Sequence, residues 1–252
     1  MLLRDVLFSQ GFGTRRICTG LVEQGLVALD GRVETDPFRD VPTQVLQFRV
    51  HGENWSYQER AYLMMHKPIG TECSQRPSAW PSVYTLLPAP LRQRPRKGAA
   101  PGVQAIGRLD QDTTGLLLLS DDGAFIHRMS SPRGHVPKVY EAVTVDAVSR
   151  AQIDRLLEGV VLADDPKPVR ALACEPAGTH GLRLTLSEGK YHQVKRMIAA
   201  VGNRVERLHR SRIGGLALPS DLLPGRWRWM SGAELDALSC GDPLTQAPPG
   251  TS

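Results

Sequence analysis

The sequence contains no apolar run long enough to cross a bilayer, and we expect no secretory signal in it. Its apolar beginning, residues 1–8, is interrupted by Arg4 and Asp5, whereas a signal peptide needs a continuous apolar segment. We therefore expect a cytoplasmic protein with no role at a membrane. Hydrophobic residues make up 41% and charged residues 23% of the 252 residues, which is typical of a globular protein with one or two domains.

Cysteine is scarce as well. Four cysteines, far apart and without a CxxC pair, stand at Cys18, Cys73, Cys174 and Cys240. This spacing argues against a disulfide framework and against a structural zinc site. His127 and His135 have no cluster of further ligands around them in the sequence, so we expect no metal site.

Positive charge is concentrated in one stretch, residues 188–212. Seven basic residues and two acidic ones give this stretch as much net charge as the whole chain, +5. The basic residues are Lys190, Lys195, Arg196, Arg204, Arg207, Arg210 and Arg212. The pattern predicts a surface that attracts phosphate, with a solvated helix face as the alternative.

The first fifty residues predict a compact unit of two short helices and a hairpin. Apolar residues near the start have helical spacing, and Thr14 is a candidate N-cap for a second helix that Gly25 ends. Asp30-Gly31 is a dipeptide typical of tight hairpin turns. Residues 51–60 are polar and are interpreted as a linker.

Residues 61–238 predict a larger domain. Apolar and β-branched runs at 63–65, 116–119, 139–145 and 182–186 indicate strands, and residues 149–158 and 191–201 indicate helices. Because strands and helices do not alternate regularly, the fold class expected is α+β. A basic segment at 92–98 is interpreted as a mobile loop. Trp227 and Trp229 are interpreted as packing residues of a strand. Residues 239–252 are interpreted as a disordered tail.

The most informative segment is the polar loop 107–115, which precedes an apolar strand. It contains Arg108 and two carboxylates, Asp110 and Asp112. Catalytic groups often lie in such loops on a rigid scaffold. The residues alone equally allow a structural turn, in which Asp112 is a hydrogen-bonding loop residue.

Four ordered stretches resemble the motifs of pseudouridine synthases. They are Lys67-Pro68-Ile69-Gly70 with Ser74, Gly107-Arg108-Leu109-Asp110 with Thr113-Thr114-Gly115, Pro137-Lys138-Val139-Tyr140, and Glu188-Gly189-Lys190-Tyr191-His192-Gln193-Val194-Lys195-Arg196-Met197. The first fifty residues resemble the small RNA-binding module named after ribosomal protein S-four, which narrows the likeness to the RsuA type. The resemblance implies a mostly antiparallel catalytic sheet at 61–238 and an S-four-like RNA-binding domain at 1–50.

The resemblance also implies roles for individual residues. Asp110 matches the catalytic nucleophile, and Lys195 matches a cation that keeps this carboxylate charged. Tyr140 matches an active-site tyrosine that stacks on the target base. The alternatives are a phosphate contact for Lys195 and a core position for Tyr140. His192 is interpreted as a helix-surface residue or as a residue behind the site.

RNA contacts are expected from the paired arginines of the N-terminal module and from the basic residues of the motifs. These residues are Arg15, Arg16, Arg108, Lys67, Lys138, Lys190 and Arg196. The target base must leave the RNA stack for its glycosidic bond to be reached. For the arginine pair, the alternative is an ordinary exposed helix surface.

The predicted activity is the isomerisation of a uridine to pseudouridine in ribosomal RNA by a monomeric enzyme without a cofactor. Thr113-Thr114-Gly115, Asp121-Asp122-Gly123 and Ser131-Pro132-Arg133 resemble the small-subunit branch, so small-subunit ribosomal RNA is the expected substrate. The alternatives are large-subunit ribosomal RNA, a non-catalytic RNA-binding or ribosome-assembly protein, and a carboxylate-dependent enzyme that removes the base.

Overall fold

The computed structural model describes residues 1–96, 98, 100–131, 136–163 and 165–238. Several features predicted from the sequence lie outside this part, namely Lys97, Pro132, Arg133, His135, Cys240 and the expected tail at 239–252. The described chain forms two compact units. The first consists of residues 1–62, 84–104 and 119–123, and the second of residues 63–83, 105–118 and those from 124 onward.

The first unit opens with the two predicted helices, α1 (Leu3–Gln10) and α2 (Arg15–Glu23). The Thr14 side chain accepts a hydrogen bond from the Ile17 backbone N–H at 3.3 Å, which confirms the predicted N-cap. Gly11 ends α1 with φ of +90°, a left-handed conformation that favours glycine.

A four-stranded antiparallel sheet follows, in the order β2-β1-β3-β4. Its strands are β1 (Val27–Leu29), β2 (Arg32–Glu34), β3 (Gln47–Val50) and β4 (Glu53–Ser56). Asp30 and Gly31 have φ of +47° and +79°, as a two-residue hairpin turn of the predicted kind requires. Residues 53–56 of the expected linker form β4 instead, because Trp55 pairs with Phe48 and packs on the unit's core.

Two further segments belong to this unit, so it extends beyond the predicted boundary at residue 50. After α3 (Ala89–Gln93), Arg94 is only 1% exposed, although the sequence predicts a mobile basic loop here. Its guanidinium pairs with Asp121 at 2.6 Å and donates to Gln10 Oε1 at 2.9 Å. A buried charge needs such partners, so Arg94 stabilises the unit and is withdrawn from solvent.

The second unit is built around a mixed sheet. The remaining strands are β5 (Tyr62–Lys67), β6 (Gln104–Ile106), β7 (Thr113–Ser120), β8 (Lys138–Thr144), β9 (Val160–Leu162), β10 (Asp165–Val169), β11 (Ala173–Pro176), β12 (Gly181–Leu186), β13 (Val205–Ile213), β14 (Leu216–Ala217) and β15 (Trp227–Trp229). The remaining helices are α4 (Gly123–Ser130), α5 (Arg150–Glu158), α6 (Gln193–Ala200) and α7 (Gly232–Ala237), with a 3-10 turn at Val83–Leu86.

The main sheet has the order β11-β12-β8-β13-β7-β5-β15, with β6 and β14 attached to β7 and β13. Its pairs β11–β12, β12–β8, β8–β13 and β5–β15 are antiparallel, whereas β13 and β7 are parallel. This topology confirms the predicted α+β class with a mostly antiparallel sheet. Trp227 and Trp229 lie in a strand, as predicted, and this strand is at the edge of the sheet; their ring centroids are 6.1 Å apart.

Apolar residues of α5, α6 and the strands β8 and β12 form one core cluster. Helix α6 contributes Val194, Met197 and Ile198, whose three- and four-residue spacing places them on one buried face. This packing fixes α6 against the sheet, and with it the charged residues on the helix's other side. No helix within the described ranges has the length and apolar character needed to span a membrane.

Candidate active site

The loop before β7 is held from two directions. Leu109 is buried in the core cluster, and the Thr113 backbone N–H donates to the Asp110 carbonyl at 3.1 Å. The Gly70 backbone N–H donates to the Gln111 carbonyl at 2.8 Å. These bonds fix the backbone on both sides of the Asp110 side chain, as a preorganised site requires.

Lys67 supports the same loop from beneath, which corrects its predicted role in RNA binding. Its side chain is 0% exposed. The ammonium donates to the carbonyls of Thr113 (2.9 Å), Pro68 (3.0 Å) and Gln111 (3.4 Å), and burial lowers the pKa of Lys67 below its ordinary value. A side chain this deep cannot reach a phosphate, because the tertiary fold places the end of β5 under the loop.

The Asp110 carboxylate lies at the centre of a charged cluster. Its Oδ2 is 3.0 Å from Lys195 Nζ, and its Oδ1 is 3.2 Å from His192 Nε2. The carboxylate is 27% exposed, so solvent or a ligand can reach it. The structure thus brings together Asp110 and Lys195, as predicted, although they are far apart in the sequence.

Asp112 shares the same cation. Its Oδ1 accepts a hydrogen bond from Lys195 Nζ at 2.6 Å, which agrees with its interpretation as a hydrogen-bonding loop residue. Burial works to lower the pKa of Lys195, but the carboxylates of Asp112 and Asp110 outweigh it and the pKa is raised above 10.5. The same contact lowers the pKa of Asp112 although burial opposes it. Lys195 is therefore a firmly charged residue at neutral pH.

His192 comes next to Asp110 because of an unusual backbone conformation. It precedes α6 with φ of +48°, a left-handed conformation that non-glycine residues rarely adopt. Its ring stacks on Tyr191 with centroids 3.8 Å apart and planes 20° apart. The sequence interpretation missed this contact with Asp110, and the only signal was the position of His192 three residues before Lys195.

A cavity of about 360 Å³ opens beside Asp110, within the usual range for ligand pockets. Tyr140 on β8 forms part of its wall and is 8% exposed. The tyrosine ring and the carboxylate therefore face one space that is large enough for a planar ring. A carboxylate in such a place can act as a nucleophile.

Gly115 allows β7 and β13 to approach each other behind this cavity. It has φ of +115°, and a Cβ there would lie 2.3 Å from the Arg210 carbonyl oxygen. No other residue type fits without moving one of the strands. The glycine of the loop motif is therefore required by packing.

The other predicted RNA contacts have different surroundings. Arg108 is exposed at the rim of the cavity, and Lys138 lies on its wall. Lys190 is paired with Asp165, and Arg196 donates to the Tyr191 carbonyl at 2.9 Å.

In the first unit, Arg16 is exposed, while Arg15 pairs with Asp5 at 2.7 Å and lies over the Phe8 ring. Arg210 of the predicted basic surface is 2% exposed. The predicted positive surface at 188–212 is therefore only partly formed: Arg204 and Arg207 are exposed, whereas other members are paired or buried. Within the part of the chain that the structure covers, no three His, Cys, Asp or Glu residues are grouped as a metal site would need.

Comparisons with known proteins agree on one family. The family model described as RNA pseudouridylate synthase matches residues 61–200. The chain is 37% identical to the RNA pseudouridine synthase YtzG of Bacillus subtilis (strain 168) over 243 residues, which cover 95% of this chain and 98% of the relative. It is 36% identical to the ribosomal small subunit pseudouridine synthase A of Escherichia coli (strain K12), covering 92% of this chain and 97% of the relative.

A solved structure gives the same result. The crystal structure of a pseudouridylate synthase superposes with a TM-score of 0.66 at 32% sequence identity. The match covers 94% of this chain and 99% of that one.

Proposed function

The chain belongs to the RNA pseudouridylate synthase family, and we propose that it isomerises one uridine of small-subunit ribosomal RNA to pseudouridine with Asp110 as its nucleophile. Membership and similarity along nearly the whole chain make it a pseudouridine synthase of the RsuA type. The observation that carries the proposed role of Asp110 is its position: an accessible carboxylate, 3.0 Å from a charged lysine, beside a cavity that Tyr140 lines.

The reaction breaks the bond between N1 of the base and C1′ of the sugar and joins C1′ to C5 of the same base. One proton leaves C5 and one is gained at N1, so atoms and electrons balance without an oxidant or a group donor. The reaction needs a nucleophile that forms a covalent intermediate, a role that a carboxylate can take. Asp110 supplies the carboxylate, and the ammonium of Lys195 lies 3.0 Å from it.

Tyr140 positions the base. Its ring lies on the wall of the cavity that Asp110 also lines, so a uracil that stacks on it presents its glycosidic bond to the carboxylate. The target base enters this cavity only after leaving the RNA stack. Exposed Arg108 at the rim is placed to contact the RNA backbone or to fill the gap left by the extruded base.

Small-subunit ribosomal RNA is the proposed substrate because several relatives that match most of the chain carry the name ribosomal small subunit pseudouridine synthase A. The N-terminal unit, which resembles the S-four-like module, is proposed to hold the RNA through Arg15 and Arg16. Such contacts with phosphates supply affinity, while RNA shape supplies the choice of site.

The test is to incubate the purified full chain with small- and large-subunit ribosomal RNA transcripts that contain labelled uridine. We expect pseudouridine at one position of the small-subunit RNA, located by chemical mapping, with the RNA chain intact and its mass unchanged. Pseudouridine only in the large-subunit RNA would contradict the proposed substrate. Free uracil or an abasic site would indicate a base-removing enzyme, and binding without any product would indicate a non-catalytic RNA-binding protein.

A further inference from the structure

Two cations on the inner wall of the cavity, Arg210 and Lys138, are not needed to explain the charged cluster around Asp110. Both residues line the cavity. Arg210 lies directly opposite Tyr140 in the β13–β8 ladder, and cross-strand partners project their side chains to the same face of a sheet. Lys138 is two residues before Tyr140 on β8 and therefore shares that face too.

The Arg210 guanidinium is buried without a full set of acceptors. Only 2% of the residue is exposed. Its Nε donates to the Leu116 carbonyl at 2.9 Å, but its buried Nη2 has no hydrogen-bond partner within the part of the chain described. A buried, unsatisfied charged donor is costly to stability, and one that a folded protein keeps is a candidate for a catalytic or binding role.

Lys138 has equally few partners. Its ammonium donates to the Val136 carbonyl at 2.9 Å, and among the described residues no carboxylate lies within ion-pair distance of Lys138 or Arg210. Burial, and secondly the positive charge of Arg210, lower the pKa of Lys138 to about 8. The cavity that Asp110 lines therefore also carries positive charge that no described carboxylate neutralises.

Resting on the proposed function, we infer that Arg210 and Lys138 bind a carbonyl oxygen of the target uracil and stabilise the negative charge that the ring gains during isomerisation. If Asp110 attacks C1′ of the sugar, the electron pair of the broken N1–C1′ bond stays on the uracil and spreads to its oxygens. If Asp110 adds to C6 of the ring, the electrons move to C5 and its neighbouring carbonyl oxygen. Both routes place negative charge on a carbonyl oxygen, where fixed donors in a water-poor site act most strongly.

The depth of Arg210 favours the base over a phosphate as the ligand. Arg210 is 2% exposed and Tyr140 8% exposed, so a group that reaches both must enter the cavity. The extruded base does so, whereas the RNA backbone stays at the rim near exposed Arg108.

The test uses the full chain and an RNA fragment that contains the mapped uridine, in single-turnover reactions at saturating enzyme. Arg210→Met should lower the rate constant roughly 100-fold while the Kd for the RNA changes less than about threefold, and Arg210→Lys should recover part of the rate. Arg183→Met is the matched control, because Arg183 lies on neighbouring β12 beside Leu184, the partner of Tyr140, and therefore on the opposite face of the sheet. Its rate constant should equal that of the wild type.

Atomic substitution in the RNA identifies the ligand. The target uridine is replaced by 2-thiouridine or 4-thiouridine, whose sulfur accepts hydrogen bonds poorly. One of these substitutions should slow the wild type and leave Arg210→Met unaffected, since the contact is already lost. Equal slowing of both proteins by both substitutions would overturn the inference.

A neutral methylphosphonate at the target phosphate tests the other possible ligand. One outcome is that the methylphosphonate abolishes the difference in rate constant between wild type and Arg210→Met while the thiouridines leave that difference in place. In that case the cations bind phosphate, and the inference is wrong. If Arg210→Met does not fold, Lys138→Met carries the same comparison with the same outcomes. A wild type that makes no pseudouridine defeats the proposed function itself, whereas an active wild type with unaffected variants defeats only this inference.

Discussion

Lys195 Nζ lies 3.0 Å from the Asp110 carboxylate and 2.6 Å from that of Asp112. One ammonium therefore contacts both the candidate nucleophile and a second carboxylate of the same loop. Helix α6 holds Lys195 through its buried apolar face, and β7 holds the loop. The contact between the candidate nucleophile and its neighbouring cation therefore depends on packing between parts of the chain that are distant in sequence.

We predict that Lys195→Met slows isomerisation roughly 100-fold, because the Asp110 carboxylate loses its neighbouring cation. Lys195→Arg should keep most of the rate, since it keeps the charge. Because the pKa of Lys195 is raised, the wild type should not lose activity through this residue below about pH 10.5. Single-turnover rates across pH check both points, and a Met variant within threefold of the wild type would contradict the role assigned to Lys195.

Lys67→Met should destabilise the protein without changing how RNA binding depends on salt. The substitution leaves the three carbonyls of Pro68, Gln111 and Thr113 without their common donor, a loss of roughly 2–4 kcal/mol. Urea denaturation measures the stability, and RNA binding at several salt concentrations measures the number of phosphate contacts. A smaller salt slope with unchanged stability would restore the original prediction of an RNA contact.

Lys138→Met should raise the melting temperature at pH 7 by a few degrees, because the variant no longer buries an ammonium. The pKa of Lys138 is about 8 in the folded protein and 10.5 in its ordinary state. Between these values the unfolded chain binds the proton and the folded chain does not, so the wild type gains stability as the pH rises through this window.

The amount by which the melting temperature of Lys138→Met exceeds that of the wild type should accordingly shrink above about pH 8. Melting curves of both proteins from pH 6 to pH 10 measure this difference. A variant that is less stable than the wild type at pH 7 would show that Lys138 is well compensated in the folded protein. Arg150→Met, on the exposed side of α5, serves as a control for loss of an exposed positive charge together with its surface ion pair to Asp154.

Arg16→Ala should weaken RNA binding and lower its salt slope by about one unit, as expected for the loss of one phosphate contact. Arg15→Ala should have a smaller effect on the slope, because its guanidinium already pairs with Asp5. Binding of ribosomal RNA fragments between low and high salt measures both. Unchanged salt slopes in both variants would show that Arg15 and Arg16 are ordinary exposed residues that do not contact RNA phosphates.

The sequence predicted most of the local structure because the signals were local. The cap at Thr14, the Asp30-Gly31 turn and the buried face of α6 each depend on residues within one or two turns of the chain, and each is confirmed. The pairing of Asp110 with Lys195 came from motif resemblance, since no local pattern links two residues so far apart.

What the sequence could not reveal was the depth of each basic residue. The sequence predicts an RNA contact for Lys67, a place for Arg210 in a phosphate-attracting surface and a mobile loop around Arg94, yet all three residues are buried. Their burial arises from strand order and from acceptors supplied by distant segments, which no periodicity encodes. His192 was missed for a related reason, because its left-handed backbone turns the ring from the helix surface toward Asp110.

The most direct test of the central claim is the rate of pseudouridine formation by Asp110→Asn, a variant that keeps the size of the side chain and removes its charge. Asp154→Asn, on the exposed side of α5, is the matched control and should react like the wild type. We expect the Asp110→Asn variant to bind the RNA within a few-fold of the wild type and to form no detectable pseudouridine in single-turnover reactions. Product formation at a rate comparable to that of the wild type would contradict the assignment of the nucleophile.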